Sequence, residues 1–509
     1  MSKLRHVVAK NARILSIVAG ICICFYFVAR VIVIAFPSYS AIDRVFGILL
    51  LIGETYILIH ALGYLYNVFE LSKVADKAGY SELNSDTLPD VAIVVAARHE
   101  PKTILQETFT TLSNIDYPKK NIYLLDDSSD DRFIQEANEL EKEFNIHVFR
   151  RPERHGAKAG IVNDFLRTTT ATYVAIFDAD QNPMPGFLKK TIPLLENDKN
   201  LAFVQTPQFY TNMDISPIAS GATFQQAIFY ENICEGKNRN NAMFCCGTNV
   251  VFRVSALREV NGFDESSVTE DFATSLKLHQ AQYKSLYFNH AYAFGMAPET
   301  LSAYFKQQSR WATGTIQVFR KLLINFIRRP LSLTPAQWWE YFLAGSYYFI
   351  GWSFFCLMVC PAAFLVLDIP SFFVKPSIYF ASFLPYFLIS LLIFYTTMSG
   401  RNYPLRQIYY GTILGLLSFP ILMRSAVYGL LGKKVPFVIT TKGQFESIPL
   451  SSLMPWILMI AVNLLALGFG VRKIYLFGMS IAVVINMFWV LYHTTILSHI
   501  FYFNRKPNS

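Results

Sequence analysis

Charged residues are scarce in this sequence, and the signatures of several common protein classes are missing from it. Asp, Glu, Lys and Arg make up 16% of the 509 residues, whereas soluble domains usually carry about a quarter. The seven cysteines show no paired C-x-x-C spacing, which argues against a structural zinc site. No G-x-G-x-x-G follows a predicted strand, which argues against a dinucleotide cofactor. These absences favour a membrane protein whose cysteines are reduced and structural.

Basic residues outnumber acidic ones but are not clustered. The formal net charge is +9 at pH 7, and Lys and Arg are dispersed without a long basic run. Nucleic acid is therefore not an expected partner, because its binding sites usually concentrate basic residues. An anionic membrane surface or a small anionic substrate fits this distribution better.

Long apolar runs near both ends predict membrane-spanning helices. The run at 14–36 exceeds the roughly 20 residues that span a bilayer and lacks the cleavage site of a signal peptide. We expect six spans, near residues 14–36, 45–66, 338–366, 377–398, 452–470 and 474–499. The apolar middle of the segment 401–447 is either an interfacial amphipathic helix, which we favour, or a short extra span.

Basic residues beside these runs predict the orientation in the membrane. Four of them precede or open the first run: Lys3, Arg5, Lys10 and Arg13. Because cytoplasmic loops carry excess Lys and Arg, we expect both termini and the region between the second and third spans in the cytoplasm. Arg505 and Lys506 agree with this orientation, whereas Arg472 and Lys473 count mildly against it.

Residues 87–330 differ in pattern from the apolar runs. Short apolar segments such as "VAIVVAA", "NIYLLDD" and "YVAIFDAD" alternate with amphipathic stretches. The alternation is typical of βαβ units and predicts an α/β domain with a mostly parallel sheet. Ligands bind outside the carboxyl ends of the strands in such sheets. The residues that follow the strands are therefore the first candidates for a functional site.

Two of the predicted strands end in paired aspartates. Asp126 and Asp127 lie in "LLDDSSDD", which also suits a helix N-terminus because Asp and Ser are good caps. Asp178 and Asp180 lie in "FDADQNP". Carboxylates at this spacing can bind a divalent cation that bridges diphosphate oxygens. Two acidic strand ends in one sheet favour such a site.

A third acidic pair supplies a candidate general base. Glu270 and Asp271 lie in "SVTEDFATS", and a carboxylate can remove the proton from a sugar hydroxyl. The alternative is a helix start capped by Thr269.

The stretch "YFKQQSRWATG" combines an aromatic ring with a cation. Helical spacing places Gln307, Arg310 and Trp311 on roughly one face. The guanidinium of Arg310 suits a diphosphate, and the ring of Trp311 suits a sugar. A tryptophan at the membrane interface beside a snorkelling arginine is an equal alternative.

In order along the chain, "DDS", "DAD", "TED" and "QQSRW" resemble the D, D, D, Q-x-x-R-W set of processive family 2 glycosyltransferases. "HGAKAGIVN", "MFCCGTNVVFR" and "FVITTKG" are similar to the bacterial cellulose synthase branch. The resemblance covers nearly the whole chain. It implies a cytosolic α/β domain of GT-A type over residues 87–330, between helical membrane segments at 1–70 and 331–509.

The resemblance also implies which residues bind the donor. Asp180 would hold Mg²⁺ or Mn²⁺, and Asp126 and Asp127 would contact the uridine. The whole set implied to bind the UDP part of the donor is Glu100, Asp126, Asp127, Lys158, Asp178, Gln307 and Arg310.

On the acceptor side, the resemblance makes Asp271 the general base and Trp311 the platform for the terminal sugar. Residues implied to lie at the acceptor are Cys246, Gly247, Thr248, Thr269, Glu270 and Trp311. A gating loop at about 433–447 would close over the nucleotide with Phe437, Thr440 and Lys442.

The sequence departs from the cellulose synthase pattern in a few places. Gln181 stands where that branch usually has a histidine, which puts one diphosphate contact in doubt, and Ile439 replaces a valine of the gating loop. The branch usually continues into a cyclic-di-GMP-binding β-barrel, whereas this sequence ends with "NRKPNS". We therefore expect that control to be absent or to come from another subunit.

The expected function is processive, inverting polymerisation of glucose from UDP-glucose into a β-1,4 or mixed β-1,3/1,4 glucan, with translocation across the plasma membrane. The expected partners are the growing polysaccharide, the lipid bilayer and export or regulatory subunits. Aromatics such as those of "QWWEY" would stack on the polymer or form an interfacial belt. Alternatives are a synthase of poly-N-acetylglucosamine, hyaluronan or β-1,3-glucan, and an inactive exporter or scaffold.

Overall fold

The computed structural model describes residues 2–35, 40–71, 88–370, 376–399, 403–433 and 447–505. The strands are β1 (Val91–Ala97), β2 (Lys120–Asp126), β3 (His147–Phe149), β4 (Tyr173–Phe177), β5 (Asn182–Pro183), β6 (Leu201–Gln205), β7 (Phe209–Tyr210), β8 (Val250–Arg253), β9 (Lys284–Tyr287) and β10 (Ala293–Gly295).

The helices of the first part of the chain are α1 (Ser2–Ala35), α2 (Ala41–Leu71), α3 (Lys102–Ser113), α4 (Asp131–Phe144), α5 (Ala157–Thr168), α6 (Phe187–Asn197), α7 (Pro217–Ile228), α8 (Glu235–Arg239), α9 (Val254–Glu259) and α10 (Glu270–Gln280). Those of the second part are α11 (Leu301–Arg328), α12 (Pro335–Ser346), α13 (Ile350–Leu367), α14 (Pro376–Ser399), α15 (Leu405–Leu417), α16 (Phe419–Leu430), α17 (Met454–Phe477) and α18 (Ile481–Phe503).

The main sheet has seven strands in the order β3-β2-β1-β4-β8-β6-β9. Strand β1 pairs in parallel with β2 and β4, β2 with β3, and β6 with β9. Strand β8 is antiparallel to both of its neighbours. A small second sheet has the order β5-β10-β7. The prediction of an α/β domain with a mostly parallel sheet is confirmed.

Helices cover both faces of the main sheet, which explains why its strands are continuous apolar runs. Ile93 of β1 and Phe109 of α3 belong to the core on one face. Val94, the next residue of β1, and Phe165 of α5 belong to the core on the other face. Because successive strand side chains point to opposite faces, a strand buried on both sides must be apolar at every position.

Six helical segments of the described chain are long and apolar enough to cross a membrane: Arg13–Ala35, Ala41–Phe69, Pro335–Leu367, Ser377–Phe394, Leu450–Phe477 and Ile481–Phe503. They coincide with the expected runs, except at the turn between the last two. The expected spans put this turn at 471–473, but α17 continues through Arg472 and Lys473 and the turn comes at Gly478, with φ +79°. Lys473 Nζ donates to the Phe364 carbonyl at 3.1 Å and pairs with Asp368, which accommodates its charge at the helix end.

Helices α15 and α16 form a bent pair, with an angle of 49° between them. Leu414 of α15 packs close to Gly221 of α7, and Gly429 of α16 packs close to Ile316 of α11. The pair thus lies against helices of the α/β domain, as an interfacial element would. The described part of the chain has six candidate spans, or up to seven if the pair also crosses.

Trp338 of "QWWEY" serves neither of the purposes expected for these aromatics. Its side chain is 5% exposed, its indole N–H donates to the Pro330 carbonyl at 2.7 Å, and its ring stacks on Phe342 with a centroid distance of 5.8 Å. The ring is packed inside the protein, so it belongs to the core between α11 and α12. By contrast, the neighbouring tryptophan of the motif, Trp339, is 38% exposed.

A buried ion pair fastens the α/β domain to the third span. Lys237 Nζ of α8 lies 2.7 Å from Glu340 Oε2 of α12, and these side chains are 4% and 0% exposed. Lys237 also donates to the Glu340 carbonyl at 2.9 Å, and Asn240 Nδ2 donates to Glu340 Oε1 at 3.0 Å. The hydrogen bonds satisfy both carboxylate oxygens, which a buried charge requires.

Glu340→Ala should destabilise the protein by about 3–5 kcal/mol, because it leaves the Lys237 ammonium buried without its carboxylate. Replacing both residues, Lys237→Met with Glu340→Leu, should restore most of the loss. Asp368→Ala is the matched control: Asp368 is 77% exposed in its pair with Lys473, so its removal should cost less than about 1 kcal/mol. Thermal unfolding of the purified chain in detergent measures all three, and equal losses for Glu340→Ala and Asp368→Ala would contradict the anchoring role.

Candidate active site

The predicted acidic strand ends meet at one edge of the main sheet. Because β2, β1 and β4 are adjacent and parallel, their carboxyl ends lie side by side. The Asp127 amide donates to the Ala97 carbonyl at 2.9 Å, which ties the end of β2 to the end of β1. Glu100 follows β1, and Asp178 follows β4 directly. The structure therefore brings these carboxylates together as the sequence predicted.

Arginines hold the first aspartate pair in place. Arg151 binds Asp127 through two hydrogen bonds of 2.9 Å each, and Arg154 adds a third of 2.9 Å. Arg150 Nε donates to Asp126 Oδ2 at 2.8 Å. Arg151 is 3% exposed, so it fixes Asp127 rigidly. Sequence reasoning missed these arginines, although "RRPER" immediately precedes the "HGAK" motif.

Helix capping does not explain the first two aspartates of "LLDDSSDD". The N-cap of α4 is Asp130, whose side chain accepts a hydrogen bond from the Arg132 amide at 2.9 Å. Asp126 Oδ1 accepts from the Ser128 amide at 3.0 Å within the turn before the helix. Asp130 therefore caps α4, whereas Asp126 and Asp127 bind the arginines.

Lys158 lies at the centre of the candidate site. Its ammonium pairs with Asp178 and donates to the Gly247 carbonyl at 2.8 Å. Burial disfavours its charge, but the carboxylates of Asp178 and Glu270 more than offset this and raise the pKa of Lys158. The Asp178 amide donates to Thr248 Oγ1 at 2.9 Å. Lys158 thus joins β4, the "CCGT" loop and the start of α10.

The acidic pair at the start of α10 is half-buried and shifted towards the neutral form. Burial, and next the charge of Glu270, raise the pKa of Asp271 to about 7, against lowering by the Phe272 amide and Lys158. Burial also raises the pKa of Glu270, while Lys158 and Arg310 lower it. A carboxyl group that titrates near neutral pH has the proton affinity expected of a general base.

The alternative of a helix start capped by Thr269 is confirmed in position but not in its hydrogen bond. Thr269 occupies the N-cap position but makes no side-chain capping bond. Its hydroxyl lies 3.2 Å from the Ser267 hydroxyl, and its methyl group packs close to Gly314 of α11. Gly247 has φ +82°, and a Cβ there would lie 3.1 Å from Asp271 Oδ2. Gly247 therefore allows the "CCGT" loop to approach the carboxylate of Asp271.

The Q-x-x-R-W residues approach the same site from α11. Gln307, Arg310 and Trp311 are half-buried. Gln307 lies near the hydroxyl of Tyr210, which accepts a hydrogen bond from Gln226 Nε2 at 2.8 Å. Arg310 is close enough to Glu270 to lower its pKa. One face of α11 therefore presents polar groups to the acidic pair.

The "CCGT" cysteines are thiols held inside the domain. Cys245 is 1% exposed, and the Cys246 amide donates to Gln205 Oε1 at 2.8 Å. Burial raises the pKa of both thiols, so both remain protonated at neutral pH. Gln181 is also buried, and its side-chain oxygen Oε1 accepts a hydrogen bond from Asn249 Nδ2 at 2.9 Å. This oxygen is therefore engaged inside the protein.

The carboxylates of the candidate site suit a divalent cation that is also bound by a substrate. Within the described ranges, no group of three or more His, Cys, Asp and Glu side chains could hold a metal alone. Mg²⁺ is often bound by one or two carboxylates together with substrate phosphates. Asp180, two residues after Asp178 in the same loop, is the carboxylate that the sequence pattern proposes for the cation. The gating-loop residues Phe437, Thr440 and Lys442 lie outside the described residues.

Comparison with protein families gives two matches that include the site just described. Residues 89–314 match the family described as "Glycosyltransferase like family 2". Residues 258–402 match the family described as "Cellulose synthase". The two matches overlap across Asp271 and the Q-x-x-R-W residues.

Individual relatives agree with these matches. The chain is 29% identical to the cellulose synthase catalytic subunit [UDP-forming] of Pseudomonas fluorescens over 90% of its own length and 62% of the relative's. It is 29% identical to cellulose synthase 2 of Novacetimonas hansenii over 85% of its own length and 27% of the relative's. The chain thus spans less than two thirds of the length of these relatives.

A solved structure has the same fold. A mannosyltransferase from Pyrobaculum calidifontis, in complex with GDP-Man and Mn²⁺, aligns with a TM-score of 0.53 at 18% identity. The alignment covers 76% of this chain and all of that one. The α/β domain therefore has the GT-A type of fold expected from the sequence. Residues 89–314 thus match a family 2 glycosyltransferase domain, the chain is similar to cellulose synthase catalytic subunits along most of its length, and its apolar helices indicate a multi-pass membrane protein.

Proposed function

We propose that this protein is a processive, inverting synthase that polymerises glucose from UDP-glucose into a β-glucan. The observation that carries the proposal is Asp271, a half-buried carboxyl group with a pKa of about 7, next to the Lys158–Asp178 pair and the polar face of α11. The cellulose synthase relatives named as UDP-forming support UDP-glucose as the donor.

The reaction is a single displacement at the anomeric carbon of the donor glucose. Asp271 accepts the proton from a hydroxyl of the terminal sugar of the growing chain, which stacks on Trp311. That oxygen forms a bond to the anomeric carbon while the bond from this carbon to the diphosphate oxygen breaks. UDP leaves with the electron pair, and the configuration inverts because attack and departure are on opposite faces. No covalent enzyme intermediate is required.

Cationic groups stabilise the departing diphosphate. Arg310 and Lys158 are the side chains of the site that can bind its oxygens through charge-assisted hydrogen bonds. Mg²⁺ or Mn²⁺ held by Asp180 and the diphosphate would neutralise further negative charge when bound. Asp126 and Asp127, fixed by their arginines, bind the uridine, and Gln307 helps to bind the diphosphate.

The product leaves through the membrane-spanning helices, and the α/β domain and both termini are cytoplasmic. Helix α11, which carries Gln307, Arg310 and Trp311, packs against α12, where the third candidate span begins. This proximity supports direct passage of the polymer from the transfer site into the spans. Arg505, directly after the last span, supports the orientation because basic residues favour the cytoplasmic side.

The first test measures incorporation of radiolabelled UDP-glucose into polymer by the purified chain with Mg²⁺ or Mn²⁺. Digestion with β-1,4-, β-1,3- and mixed-linkage glucanases then defines the product. Polymer from UDP-N-acetylglucosamine alone would identify a different synthase, and polymer from neither donor would contradict the proposal.

Asp271→Asn should lower the rate of synthesis by about 10²–10⁴-fold, because the amide cannot accept the hydroxyl proton. UDP binding should persist, since the substitution leaves the donor residues intact. Asp116→Asn is the matched control: Asp116 is 64% exposed and pairs with Lys189 on the surface. Near-normal synthesis by Asp271→Asn would exclude this residue as the base and would fit a scaffold.

The wild-type rate at subsaturating substrate should rise with pH and level off above about 7, where Asp271 is ionised.

The raised pKa of Asp271 also affects the stability of the folded protein. The folded state binds this proton more tightly than the unfolded state, so stability falls as pH rises from about 4 to about 7. Asp271→Asn should therefore raise the unfolding temperature relative to wild type at pH 8 but not at pH 4. An equal difference at both pH values would contradict the assigned pKa.

Arg151→Lys should weaken UDP binding by about tenfold, because lysine cannot form the paired hydrogen bonds that fix Asp127. Arg132→Lys is the matched control, since Arg132 is 77% exposed and pairs only with Glu136 of its own helix. Calorimetric titration of each variant with UDP measures the effect. Unchanged affinity in Arg151→Lys would remove Asp127 from the nucleotide site.

A further inference from the structure

A cavity lies at the start of α7. It has a volume of about 580 Å³ and is enclosed by the segment before and at the start of α7, the start of α15 and the end of α18. Its charged and hydroxyl-bearing lining includes Asp214, Arg406, Tyr410, Tyr502 and Arg505. None of these residues has a role in the proposed sugar transfer.

The cavity has an excess of positive charge. Arg406 Nε donates to the Tyr410 hydroxyl at 3.0 Å, its guanidinium lies 5.2 Å from the centre of that ring, and the Tyr410 and Tyr502 hydroxyls are 3.2 Å apart. In the part of the chain that the structure describes, neither Arg406 nor Arg505 forms an ion pair with a carboxylate. Asp214 is the acidic residue of the lining. Two arginines against one aspartate favour an anionic ligand.

The rim of the cavity is apolar and exposed. Ile215, which lines the cavity, is 54% exposed, and Leu405, which lies in the chain between the lining residues Pro404 and Arg406, is 78% exposed. Tyr502 is 45% exposed. An anion-binding cavity bordered by apolar side chains suits a ligand that has both a charged head and an apolar tail.

The cavity lies at the end of a membrane span. Arg505 follows α18 after one residue, and α18 is a candidate span over Ile481–Phe503. The opposite wall is α7, which belongs to the α/β domain. A membrane crossed by α18 would have its lipid headgroups near this cavity, on the side where the α/β domain lies.

We propose that this cavity binds the phosphate of an anionic phospholipid headgroup. Arg406 and Arg505 would donate charge-assisted hydrogen bonds to the phosphate oxygens, and the exposed apolar rim would contact the acyl chains. Basic pockets between spanning helices at this depth are typical of anionic lipid binding. A free phosphate would satisfy the arginines in the same way, but it would leave Ile215 and Leu405 in contact with water.

A lipid bound there would contact three separate elements, α7, α15 and α18. Because it would bind the folded protein and not the unfolded chain, it should raise the unfolding temperature with increasing lipid concentration. No sugar donor takes part in this measurement, so its outcome is independent of the proposed glycosyltransferase activity.

The experiment titrates the delipidated full chain, in neutral detergent, with dioctanoyl phosphatidylglycerol, dioctanoyl phosphatidylcholine or inorganic phosphate. We expect stabilisation by phosphatidylglycerol that greatly exceeds that by the other two. Equal stabilisation by phosphatidylcholine would overturn the anionic preference. Equal stabilisation by inorganic phosphate would assign the cavity to a free anion and overturn the lipid proposal.

Variants locate the effect in the cavity. Arg406→Gln with Arg505→Gln should weaken the response to phosphatidylglycerol by about tenfold or more, and Arg505→Gln alone by less. Asp214→Asn should strengthen it, because it removes the opposing charge. The matched control is Arg472→Gln, an exposed arginine near the other end of the α17–α18 hairpin, which should respond like wild type. A wild-type response in the double variant, or the same loss in Arg472→Gln, would overturn the proposal.

Discussion

The candidate site depends on one half-buried cation, the ammonium of Lys158. It pairs with Asp178, donates to the Gly247 carbonyl at 2.8 Å, and lies close enough to Glu270 and Asp271 to lower the pKa of each. Without this charge, acidic groups contributed by β4 and α10 would repel one another inside a half-buried cleft. The ammonium therefore allows the carboxylates to lie close together. Burial keeps the pKa of Asp271 at about 7.

A second constraint holds this site at the membrane. Helix α11 carries the Q-x-x-R-W residues near its start and packs through its later turns against α12, where the third span begins. The buried Lys237–Glu340 pair fastens the same junction. A rigid connection would suit the proposed synthase, which would have to pass each new sugar from the transfer site into the membrane without misaligning the polymer.

Some local expectations failed where contacts between distant residues decided the outcome. Trp338 carries the pattern of an interfacial aromatic but is buried under α11. Arg472 and Lys473 look like the end of a span, yet Lys473 is accommodated by Asp368 and the Phe364 carbonyl, more than a hundred residues earlier. Local sequence carries no sign of such partners, because they are brought together only by the packing of helices.

The alternation of apolar strands and helices, the six apolar runs and the order of the acidic and Q-x-x-R-W motifs can all be predicted from the sequence. They depend on periodicity, run length and residue type along the chain. The fold was needed to show that arginines hydrogen bond to Asp126 and Asp127, that Lys158 joins β4 to the "CCGT" loop, and that burial brings the pKa of Asp271 near 7. Such properties arise from burial and charge at short distance in space, which residues far apart in the sequence supply.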